Sequence, residues 1–161
     1  MKRFLLGVLL GLVLGVPAGF AIGIFAFPYL FPPPPVNETV ADSATRVRVA
    51  TGTFIHADPS DPVHYGSGGV TVYDDLLHLE SDFNVGPGPK YHVYLVPEAD
   101  VTPDTAVADS MFVDLGRLKA FSGSQNYAIP AGIDHRRYGS VVIWCEQFGV
   151  LISPARLAFA P

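Results

Sequence analysis

The sequence is short of cysteine, of charge and of any long amphipathic helical pattern, and each shortage excludes something. A single Cys, at position 145, cannot close an intramolecular disulfide, so the fold must hold by packing. Only 16% of the 161 residues are charged, and from Phe4 to Phe31 none is. Beyond that run, eight Lys and Arg stand against all 15 Asp and Glu, a net charge of −7. With no basic cluster to meet backbone phosphates, nucleic acid is excluded as a partner, and adhesion to an anionic leaflet is not expected. No Gly-x-Ser-x-Gly, phosphate-loop or dinucleotide fingerprint occurs, which leaves the hydrolase and nucleotide readings without support.

What is present begins with the uncharged run itself. Residues 4–31 number about 28, and roughly 20 suffice to span a bilayer. Lys2 and Arg3 precede the run, and no Lys or Arg follows until Arg46. The positive-inside rule then keeps the N-terminus cytoplasmic and sends the rest to the periplasm or cell exterior. A cleaved signal peptide is the rival, with Val16-Pro-Ala18 as small residues for a peptidase. Apolar residues continue past Ala18 to Phe27, which favours an uncleaved single-pass anchor over residues 1–31. No Cys closes the run, so a lipoprotein anchor is excluded. Pro32 to Pro35 favour a stiff polyproline spacer, and residues 32–45 read as a linker. Asn37-Glu-Thr39 fits a glycosylation sequon that only a eukaryotic secretory host would use.

From Arg46 to Pro161 about 115 residues remain, enough for one domain with its own core. Short alternating or apolar stretches recur between turn signals: Val47 to Ile55, Val70 to Tyr73, Leu76 to Glu80, Lys90 to Val96, Met111 to Leu115 and Asn126 to Ile129. Asp74-Asp75 reads as a hairpin turn, and Gly86-Pro-Gly-Pro89 as a firm break. Residues 57–69 and 97–110 read as long polar loops, the second with room for one helical turn, and Asp134 to Tyr138 as another such turn. The pattern predicts an all-β fold, an antiparallel sandwich or barrel of about eight short strands, preceded by one transmembrane helix.

The most apolar stretch of the domain is Ser140 to Ile152, which carries the only Trp and the only Cys. Strand alternation puts Val141, Ile143 and Cys145 on one face and Val142, Trp144 and Glu146 on the other. It reads as a central strand, or as one bent at Gly149 into its neighbour. Cys145 therefore works from inside a sheet. Its neighbours Trp144 and Glu146 would raise its pKa, so a packed, inert thiol competes with a redox or ligand role.

Five histidines, at 56, 64, 78, 92 and 135, show no metal-like spacing, and no metal site follows from them. His78 is expected to face solvent. His92 shares a face with Tyr94 and is expected half-buried, and His64 lies in a Gly-rich loop where it could fold over a sheet end. Either of the last two could join Cys145 in holding a cofactor, whose identity the sequence does not give. Asp58 to Asp61 and Asp74-Asp75 lack EF-hand spacing and read as solvated turns.

One combination is specific: Gln125-Asn-Tyr-x-Ile-Pro130 followed by Val142-Ile-Trp-Cys-x-x-Phe148. With Gly52-Thr-Phe54, His64, Leu77-His-Leu79, Gly86-Pro-Gly-Pro89, His92-Val-Tyr-Leu95 and Leu115-Gly-Arg-Leu-Lys119, it resembles the DM-thirteen, or electron-transfer DM-thirteen, domain family. The likeness covers nearly all of residues 46–161. Lys90 and Val96 depart from the Asp and Ser common there. The resemblance implies an all-β extracytoplasmic module, found in the family beside DOMON and cytochrome-b-type modules, with a redox role for the cysteine at 145. Two readings stand. One is a membrane-anchored electron-transfer accessory using Cys145, without independent turnover and served by a redox partner. The other is a non-catalytic envelope module whose loops 57–69 and 97–110 contact a protein or glycan around a structural cysteine.

Overall fold

The computed structural model describes residues 1–160; Pro161, the last residue of the expected domain, lies outside the described residues. The charge-free run forms α1 (Lys2–Leu30), a helix long and apolar enough to cross a membrane. At 1.5 Å per residue it rises about 43 Å, more than the roughly 30 Å of a hydrocarbon core. Glycine recurs at every fourth position, 7, 11, 15, 19 and 23, and all five face open space.

Ten strands follow: β1 (Val36–Asn37), β2 (Arg48–Phe54), β3 (Gly66–Tyr73), β4 (Leu76–Leu79), β5 (Asn84–Val85), β6 (Tyr91–Val96), β7 (Val113–Arg117), β8 (Gly123–Ala128), β9 (Ser140–Cys145) and β10 (Val150–Phe159). They form one curled sheet, a half-barrel, in the order β1-β8-β4-β3-β2-β10-β9-β6-β7, with β5 against β3. The all-β expectation holds, with a correction. The sheet is mixed, because β1 runs parallel to β8 while the other pairings are antiparallel. Val36-Asn37, inside the stretch read as linker, reaches β8 from α1 through residues 32–35, so its direction is set by the incoming chain and not by a hairpin.

The single sheet follows from the length of β10. Its first half pairs with β9 and its last half with β2, and Ala155 meets both Val141 and Phe54. One ten-residue strand thus joins what two shorter ones would have left as separate layers. A bulge between Leu151 and Ser153 gives the bend this needs. The stretch 140–152 is therefore two strands, turned at residues 146–149 with Gly149 in the left-handed region (φ 64°). The loop read over 57–69 ends earlier than expected, since Gly66 already begins β3.

β9 is central, between β10 and β6, and every residue in it is buried. The expected alternation is observed. Val141, Ile143 and Cys145 join the main core with Leu77, Leu79, Val93, Leu95 and Ile152. Val142 and Trp144 join a second cluster with Tyr94, Val96, Val101, Val107 and Leu151. Residues 97–112 fold back over that outer face, bringing Val101, Val107 and Phe112, whose ring stacks on Tyr94 at 4.2 Å. A strand covered on both faces reads as an unbroken apolar run, which is how β9 looks in the sequence.

His78 corrects a second expectation. It is only 8% exposed, because β4 lies between β3 and β8. The ring sits between Asn126 (Nδ1 to Oδ1, 2.6 Å) and Glu80 (Nε2 to Oε2, 3.7 Å), while the segment after β1 straps β8. Asn126 Nδ2 donates to Thr39 O, and its backbone N–H donates to Glu38 Oε2, which holds that strap down.

Candidate functional site

The candidate groups gather where β6, β7 and the β9–β10 hairpin meet. β6 places Tyr91 opposite Cys145 and His92 opposite Trp144. Because side chains alternate, the thiol points inward and the imidazole outward. The structure thus does not bring His92 and Cys145 together on one face.

On the inner face, Cys145 is 1% exposed among core residues. Its Sγ donates to Pro89 O at 3.3 Å, and its own carbonyl accepts the N–H of Gly149 at 2.8 Å. The Gly86-Pro-Gly-Pro89 break roofs the thiol. At Gly88 a side chain would collide with the Tyr91 hydroxyl, so glycine lets this loop lie against the strand. Burial pushes the thiol pKa up, with the N–H groups of Phe148 and Gln147 offsetting part of that rise. Burial likewise raises the phenol of Tyr91. A thiol kept protonated beneath a loop is a poor nucleophile in this conformation.

On the outer face, two strands and a turn each contribute a donor. His92 comes from β6, Asp114 from β7 and Glu146 from the turn after β9. His92 Nδ1 lies 3.0 Å from Asp114 Oδ2, and its Nε2 lies 3.5 Å from Glu146 Oε2. One donor atom from each of the three falls within 4.8 Å of the others. Second-layer contacts fix the carboxylates: Gly116 N–H donates to Asp114 Oδ1 (2.8 Å), and Tyr94 O–H donates to Glu146 Oε1 (2.9 Å). The Lys90 ammonium meets Glu146 Oε2 at 2.9 Å. The Lys90 bond, then that from Tyr94, holds the Glu146 carboxyl below its ordinary range. Lys90 itself is left-handed (φ 50°), a conformation that costs a non-glycine residue about 1 kcal/mol. One imidazole and two carboxylates can hold a cation, and here an ammonium already balances them.

His64 stands apart in the β2–β3 connection. Its Nδ1 lies 2.6 Å from Asp61 Oδ2, while Asp61 Oδ1 accepts the N–H groups of Val63 and His64. That hydrogen bonding, the His64 side chain first, lowers the Asp61 carboxyl to about 2. The pair pins the loop and leaves His64 without a cofactor-like set of neighbours among the described residues.

Of the residues singled out from sequence, the half-buried His92 is placed as expected, and Asp114 and Glu146 are the partners that sequence reasoning missed. The signal that could have found them is register: Glu146 and His92 each occupy the outer face of their own strand, but which strand neighbours which is a tertiary fact.

No curated protein and no solved structure matches the chain significantly. A family model described as "Electron transfer DM13" matches residues 59–157, a stretch that starts before β3, ends within β10 and includes Cys145 and the outer-face cluster. With more than half of its length matched, this chain belongs to the DM13 family.

Proposed function

We propose that the protein is a membrane-tethered accessory in extracytoplasmic electron transfer, with Cys145 as the residue that meets the redox partner. The family match across residues 59–157, which includes the only cysteine, carries this reading. The apolar α1 and the Lys2-Arg3 pair at its N-terminal end support a tether with the β domain on the outer side. A lone thiol can carry electrons by exchange with partner disulfides. Its thiolate attacks a partner disulfide, a mixed disulfide forms, and the displaced partner sulfur leaves as thiolate and takes up a proton. A second partner thiol reverses the linkage, so electrons pass between partners and the domain itself ends unchanged. Displacement of the Gly86–Pro89 loop must precede attack, because Cys145 sits beneath it.

Burial of Cys145 with a raised pKa favours the second reading, a non-catalytic module that binds an envelope protein or glycan. Trapping separates the two. Membranes holding the full chain are quenched with acid, alkylated and run without reductant, beside Cys145→Ser. A Cys145-dependent, reductant-sensitive adduct supports the redox reading. A thiol that stays unmodified under oxidant, with Cys145→Ser behaving as wild type, overturns it in favour of the binding module.

A further inference from the structure

A cavity of about 1170 Å³ lies between the β domain and α1. Gly23, Ile24 and Phe27 wall it on the helix side, and Tyr91, Leu118 and Phe121 on the domain side. The helix is held at that height by Pro28, its one buried residue, and by Phe25, which stacks on Phe148 of the β9–β10 turn at 5.0 Å. Counting about 20 spanning residues from Phe4 brings the hydrocarbon boundary to Gly23. The groove, lined on the helix from Gly19 to Phe31, then straddles the depth where acyl chains meet headgroups. Three cations edge it, Lys90, Arg117 and Lys119, in a domain that is otherwise strongly acidic. Lys90 and Lys119 are each matched by a carboxylate, Glu146 and Glu38, whereas Arg117 has none within 4.0 Å among the described residues. The sequence separates these cations by up to 29 positions; the meeting of β6 with β7 puts them on one rim.

We propose that this groove binds one anionic phospholipid from the leaflet nearest the β domain, one of its acyl chains along Gly19, Phe20 and Gly23 and its phosphate at Arg117. The apolar walls fit a chain, the open side of the glycines leaves it room, and the unmatched guanidinium supplies the complementary charge. The proposal rests on the membrane tether of the preceding section, and the test keeps the two apart.

The full chain is reconstituted into nanodiscs of phosphatidylcholine, alone or mixed with phosphatidylglycerol, then extracted in mild detergent, and retained lipid is counted by native mass spectrometry. One phosphatidylglycerol per chain is expected. Arg117→Gln should weaken its retention about fivefold, the effect of one cation near a headgroup. Gly23→Leu, which fills the groove from a position with free space, should abolish retention while the thermal midpoint of the β domain stays unchanged. Equal retention of both lipids overturns the proposal, as does retention indifferent to both variants. A lipid-free dimer crosslinked through the groove also overturns it, showing a second copy there instead. Alkaline carbonate treatment tests the tether alone: a chain that resists extraction yet keeps no lipid sinks only the lipid site, whereas a chain that is released sinks both.

Discussion

Cys145 and Glu146 are adjacent in sequence and opposite in environment. The thiol faces a core shared by most of the half-barrel and is 1% exposed; the carboxylate faces outward, among His92, Lys90 and Tyr94. Burial raises the pKa of the first, and hydrogen bonding lowers that of the second. One step along a strand changes which force dominates, desolvation on the inner side and charge pairing on the outer. Inner-face residues should therefore govern stability, and outer-face residues should tune it weakly while staying free to meet solutes.

The largest break in that contrast would come from Ile143. Fully buried beside Cys145, its replacement by Ala should cost about 3 kcal/mol in chemical denaturation, through lost burial and the cavity left behind. A loss below about 1 kcal/mol would mean that the inner face is not the stabilising one. Next, native Cys145 should react with a maleimide at least about a hundredfold more slowly than in denaturant, because the loop must open first. Gly88→Ala should narrow that gap by driving the Tyr91 hydroxyl and the loop apart. Equal rates in the native and denatured chain would remove the roof over the thiol.

The outer face should respond less. His92→Ala is expected to lower stability by about 1 kcal/mol or less, as for other partly exposed polar contacts. The smallest effect is a matter of pH. Folding lowers the Glu146 pKa, so its contribution is present above the ordinary carboxylate range and is lost as pH falls through the depressed value. Glu146→Gln should flatten that part of an acid-denaturation profile and leave neutral stability close to wild type. An unchanged profile would show that Lys90 and Tyr94 do not hold the carboxylate in solution.

Local chemistry was legible in the sequence and assembly was not. The membrane-length helix, the central position of 140–145, its two faces and the turn at Gly149 follow from hydropathy, alternation and one glycine, all carried by neighbouring residues. The burial of His78 is not legible locally because the residue it packs against, Asn126 of β8, lies 48 positions away and is itself fixed by Glu38 and Thr39. The parallel β1–β8 pair is illegible for the same reason: two residues carry no periodic signal, and their partners are Gly123 and Ser124. Nothing local joins Asp114 and Glu146 to His92; the order β9-β6-β7 does.

By itself, the sequence determined an apolar helix at the N-terminus, a β-rich domain without disulfides and one thiol on an inward face, since each depends on the character of consecutive side chains. Only the tertiary structure decided that the thiol lies under Pro89, that His92 turns toward two carboxylates and away from sulfur, and that three scattered cations edge a groove beside the helix. Those outcomes depend on which strands become neighbours, a choice made by the burial of the whole sheet and not by any local stretch of it.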